Sequence, residues 1–154
     1  MFSASGAPTP QVRRFAAAVG AARGHDVDFF EAAQVRRSAY SASLALRPNE
    51  RLRVSATYLS SSFTRRSDGV RSAATRIPRL KMEYQIARPL FLRLIAQDEA
   101  TVREQLIDPA NGRTLQVRSS SGSFTPSTAR TTNTLRGDFL FSYRPSPGTV
   151  FFAG

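Results

Sequence analysis

The sequence predicts an all-β chain, an antiparallel up-and-down meander of about seven strands that forms part of a transmembrane β-barrel. Three observations predict it. Apolar residues recur at every second position, the period of a strand with one buried face. Short Pro-containing turns alternate with long polar connections. All four tyrosines fall on the apolar side, near strand ends.

A weak strand at about 13–23 opens the pattern. In "SAYSASLALRPNERLRVSATYLS" (38–60), Tyr40, Ala42, Leu44 and Leu46 share one face before the turn, and Leu52, Val54, Ala56 and Tyr58 share it afterwards. Their numbers mirror about Asn49. A hairpin at 48–50 is therefore expected to pair Leu46 with Leu52, Leu44 with Val54, Ala42 with Ala56 and Tyr40 with Tyr58. Such cross-strand pairs are the unit of sheet stabilisation. In "RLKMEYQIARPLFLRLIAQ" (79–97), Leu80, Met82, Tyr84 and Ile86 mirror Ala96, Leu94, Leu92 and Leu90 about Arg88. A third hairpin runs from Phe139, Phe141 and Tyr143 through 145–148 to Val150 and Phe152, where the apolar run stops at Gly154.

Long connections are expected at 24–33, 64–75 and 99–134, all at one end. The last holds Asp-Pro and Asn-Gly turn signals at 108–113 and a Ser/Thr-rich stretch at 118–134, the composition of a mobile loop.

The mirrored positions carry no charge. The opposite face carries Arg47, Arg51, Arg53, Arg79, Lys81, Glu83, Arg93, Arg136, Asp138 and Arg144. A soluble barrel or sandwich would bury the apolar face and could bind an anionic ligand or nucleic acid through its wet arginines. A transmembrane barrel reverses the two faces. Tyrosine placement, loop asymmetry and spans of about 9–11 residues per strand select the membrane. Tyr40 and Tyr58 then form the aromatic girdle at the long-loop end, and Tyr84 and Tyr143 the girdle at the short-turn end. Arg51, Arg53, Arg79, Lys81, Glu83, Arg93, Arg136 and Asp138 line the lumen.

Composition narrows the chemistry. There is no Cys and a single His, His25, so thiolate and His-cluster metal sites are excluded. "HDVD" (25–28) reads as an acidic loop rather than a metal site. Glu83 and Asp138 read as charge-balancing groups, Glu83 with Arg93, rather than an acid–base pair. No phosphate loop, nucleophile elbow or EF-hand spacing occurs. An enzyme, a cofactor and a bound metal are therefore not expected.

The net charge is +11, and Lys81 is the only lysine among 22 basic residues. The arginines are spread along the chain, without aromatics interleaved on the basic face, so a nucleic-acid platform is not expected. "FAAAVGAA" (15–22) is far too short for a membrane helix and lacks a signal-peptide apolar core. Met1 is accordingly expected to open a mature or internal segment.

With the strands placed, residues 24–154, apart from the Ser/Thr-rich loop, resemble a known family. "LRPNERLRV" (46–54), "RIPRLKMEYQIARPLFLRLIAQ" (76–97) and "LRGDFLFSYRPSPGTVFFAG" (135–154) carry the likeness, and "GHDVDF" (24–29) fits an earlier loop. They are similar to the C-terminal β-barrel domain of unknown function that follows a family-9-like carbohydrate-binding domain in large bacterial outer-membrane proteins. The resemblance implies that 1–154 is a single partial barrel domain. Its partners would be the bilayer, the remaining strands and an N-terminal carbohydrate-binding domain, and its location the bacterial outer membrane. Its role would be structural, as an anchor or pore scaffold.

Overall fold

Alternating apolar and polar residues favour extended backbone, because a strand sends successive side chains to opposite faces. The computed structural model describes residues 3–8, 14–146 and 148–154. Its main sheet contains β1 (Ser3–Pro8), β2 (Phe15–Asp28), β3 (Ala33–Leu46), β4 (Leu52–Arg65), β5 (Arg71–Ala87), β6 (Leu90–Arg103), β9 (Arg130–Ser146) and β10 (Thr149–Ala153). A small ribbon of β7 (Gln116–Arg118) and β8 (Phe124–Pro126) lies between β6 and β9. The sheet order is β1-β2-β3-β4-β5-β6-β9-β10, and every neighbouring pair is antiparallel. The expected meander is therefore present, with β1 as an additional edge strand. It is an open sheet rather than a closed barrel, since β1 and β10 stand at opposite edges.

The strands are longer than the sequence suggests. β2, β3, β4 and β6 have 14 residues each, and β5 and β9 have 17. The connections expected at 24–33 and 64–75 shrink to 29–32 and 66–70, and the one expected at 99–134 to 104–129. Polar residues at strand ends look like loop by composition, yet their backbone stays in the ladder. The remaining long connection is hydrogen-bonded within itself. Leu115 N–H donates to Leu106 O at 2.8 Å, and Ser127 N–H donates to Leu115 O at 2.8 Å.

Register agrees at one hairpin and slips at another, and at the third the face of one residue changes. β5 and β6 pair Leu80 with Ala96, Met82 with Leu94 and Tyr84 with Leu92, as the mirror about Arg88 requires. A bulge between Gln85 and Ala87 places Ala87, not Ile86, opposite Leu90. β3 and β4 slip by two residues from the expected pairing: Leu46 faces Val54, Leu44 faces Ala56, Ala42 faces Tyr58 and Tyr40 faces Ser60. A two-residue slip preserves the face of every side chain.

The turn explains the slip. Asn49 Oδ1 accepts from Arg51 N–H at 2.9 Å and Leu52 N–H at 2.8 Å, fixing a wider loop than one centred on Asn49. Asn49→Ala is expected to cost about 1 kcal/mol in chemical unfolding by orphaning these donors.

At the third hairpin a bulge between Thr149 and Phe151 reverses the parity. Phe151 faces Tyr143 on the apolar side, and the two rings stack at 6.3 Å between centroids. Phe152 pairs with Ser142 on the other face.

The sheet also curls, and side chains fix its direction. β3, β4 and β5 separate β2 from β6, so at about 4.8 Å per step a flat sheet would hold β2 and β6 about 19 Å apart. Yet Arg103 Nη1 at the end of β6 reaches Asp28 Oδ2 at the end of β2, at 2.9 Å. Both residues lie on the arginine-bearing side, which is therefore the concave one. The face of Leu44, Leu80 and Leu94 is convex.

Candidate functional site

The two faces carry the functional information. Register sets the predicted polar residues in cross-strand rows on the concave side. Arg53 faces Glu83, which faces Arg93. Lys81 faces Ile95, which faces Asp138, and Arg79 faces Gln97, which faces Arg136. Seven of the eight predicted residues thus share one face. Arg51 instead lies in the turn before β4, where its carbonyl accepts from Gln85 N–H at 2.7 Å.

The expected Glu83–Arg93 pair does not form. Glu83 sits directly across from Arg93 but bonds Lys81, two residues away on its own strand, at 2.8 Å. The concave face is not uniformly polar either, since Leu59 and Ile77 face each other on it.

The convex face is apolar and open. Leu94 is 39% exposed and Phe139 54%, and Leu80, Leu135 and Phe151 are also exposed. Tyr40, Tyr58, Tyr84 and Tyr143 all lie on this side, each at least a third exposed. Arg23 Nη2 donates to the Tyr40 hydroxyl at 3.1 Å, so Tyr40 marks the boundary where the convex face turns polar. Beyond it the same side carries Arg23, His25, Arg36 and Ser38.

Past that boundary, ionic contacts tie the loop ends together. Glu31, in the loop after β2, accepts from Arg65 Nε at 2.9 Å and from Arg65 Nη2 at 2.7 Å. It also accepts from Ile107 N–H at 3.0 Å. The Glu31 and Arg65 side chains are 1% and 5% exposed. Arg65 Nη2 also donates to Gln105 O, and Asp68 lies 3.6 Å from its Nη1.

Hydrogen bonding to Glu31 raises the Arg65 pKa above its ordinary value, against the opposing effect of burial. A raised basic pKa gives stability that is fully present below the unfolded value and lost only above the folded one, so Arg65 stays cationic through the working range.

Next to this pair, Asp28 is 1% exposed and binds Arg103, whose guanidinium lies 4.2 Å from the Phe30 ring centroid. Ala32 holds a left-handed backbone at φ 49°, local strain beside the buried carboxylate.

"HDVD" is strand, not loop. Alternation sends His25 to the convex side and Asp26 and Asp28 to the concave side, where they pair with Arg37 and Arg103. Among the described residues no group of three or more His, Cys, Asp or Glu converges as metal ligands. Sequence reasoning missed Asp28, Glu31, Arg65 and Arg103 because their partners lie 34 to 75 residues apart. No helix of the described residues is long and apolar enough to cross a membrane. The chain matches no family model, no curated protein and no solved structure.

Proposed function

We propose that this chain is a membrane-spanning segment of a bacterial outer-membrane β-barrel, serving as an anchor or pore scaffold. The direction of the curl carries this reading: the apolar side is convex and exposed, and the charged side concave. A soluble barrel or sandwich places apolar residues inside, whereas a membrane barrel places them outside against lipid. Tyrosines at both borders of the apolar band add to the support, since aromatic rings favour the interface between hydrocarbon and headgroups.

Closure requires partners. Hydrocarbon does not tolerate unpaired strand edges, and β1 and β10 stand at the two open edges of the sheet. Further strands, from the same parent or another chain, complete the barrel in this reading. The family resemblance adds an exported carbohydrate-binding domain as the anchored partner.

The absence of Cys makes single-cysteine probes unambiguous. In lipid vesicles, a fluorophore on Leu80→Cys or Phe139→Cys is expected to be quenched by nitroxide-bearing lipids. The same fluorophore on Ser43→Cys or Ser55→Cys is expected to respond to water-soluble quenchers instead. A chain that is monodisperse without detergent, with both sets equally open to water-soluble reagents, would overturn the proposal.

A further inference from the structure

The short-turn end of the concave face holds a cationic cleft. Arg14, Arg47, Asn49, Glu50 and Arg53 line a space of about 370 Å³. Three strand ends bring the arginines together. Arg47 N–H donates to Arg14 O at 2.8 Å, joining the residue before β2 to the residue after β3. Arg53, the second residue of β4, lies one step beyond the last β3–β4 pair, Leu46 with Val54, which sets it beside Arg47 on the concave side.

Like charges in neighbouring cross-strand positions repel. Among the described residues no carboxylate lies within ion-pair distance of Arg14, Arg47 or Arg53. Glu83, directly across from Arg53, is engaged by Lys81 at 2.8 Å. Glu50 lines the cleft without contacting the guanidinium groups, leaving three positive charges against one negative. Asn49 spends its side-chain oxygen on the turn, at 2.8 Å and 2.9 Å.

We infer that this cleft binds a soluble phosphate-bearing anion. Planar guanidinium groups offer paired donors that match the oxygens of a phosphate, and such charge-assisted bonds are among the strongest polar contacts. The arginines stand on the concave side, away from the apolar surface, so a free solute reaches them more directly than a lipid headgroup does. A role in admitting anions to the lumen rests on the pore-scaffold reading above, whereas the binding itself rests only on the cleft.

The test is a titration of the purified full chain, in detergent if it requires it, with inorganic phosphate followed by ³¹P NMR. Saturable binding at one site is expected. Arg47→Gln and Arg53→Gln should each weaken it about tenfold, the loss of one charge-assisted bond. Arg113→Gln, in the loop region at the opposite end, should leave it unchanged. Non-saturable binding, or equal affinity in all three variants, overturns the inference. Binding to nanodiscs rich in phosphatidylglycerol, without any to inorganic phosphate, overturns the assignment to a soluble anion. A chain that proves water-soluble yet binds phosphate refutes the membrane reading and supports this one.

Discussion

Arg65→Leu is expected to destabilise the fold by about 3–5 kcal/mol, the cost of stranding one member of a buried ion pair. Glu31 is then left with its carboxylate 1% exposed and without its guanidinium partner. Ile107 N–H would remain as its hydrogen-bond donor, far too little to solvate a buried anion. The damage should concentrate at one end. Loops 29–32, 66–70 and the start of 104–129 meet through this pair, whereas the β5–β6 hairpin turn lies at the other end. Hydrogen exchange should rise at Ile107 and Gly69 and stay unchanged near Leu90.

The double variant Glu31→Leu/Arg65→Leu is expected to recover much of the loss, because replacing a buried pair by apolar side chains is often close to neutral. Urea unfolding of both singles and the double checks this. Equal stability of Arg65→Leu and the parent would show that the contact contributes nothing.

Leu94→Arg should cost about 2–4 kcal/mol when the protein is in a bilayer, the penalty for a cation at mid-membrane on a lipid-facing strand. Leu94 lies in the central row of the convex face, opposite Met82 and Phe139. It is 39% exposed, and in water a substitution at such a site usually changes stability by about 0.5 kcal/mol or less. The two environments thus predict different outcomes for one mutation. Ser55→Arg serves as the control, since it points to the concave side and should be tolerated in either environment. Denaturant unfolding in lipid vesicles supplies the measurement. A near-neutral Leu94→Arg there would contradict lipid contact.

The sequence revealed the sheet more fully than the contacts that bend it. The β5–β6 register was legible because a two-residue connection leaves little freedom, and its apolar residues are symmetric about Arg88. The β3–β4 register was not, because a slip by two keeps Leu44 and Tyr40 on the same face and hydrophobic pattern cannot detect it. Alternation places Phe152 on the apolar side, and the bulge, which adds one residue that alternation alone cannot foresee, turns it to the other. Residues 24–28 read as loop because His25, Asp26 and Asp28 are polar. They continue β2 because the strand outruns its apolar band and finds cationic partners there. The buried Glu31–Arg65 pair has no spacing signature, since 34 residues separate its members.

The contact between Asp28 and Arg103 also bears on the order in which the chain folds. Its partners are 75 residues apart, and Glu31 and Ile107 are 76 apart, while adjoining strands meet across far shorter connections. The entropy of closing a loop grows with its length, and distant contacts form late when local ones can be made first. Hairpins are therefore expected to zip one after another into a ribbon with both faces wet. Inside and outside are expected to come into existence together, when the far ends of β2 and β6 meet.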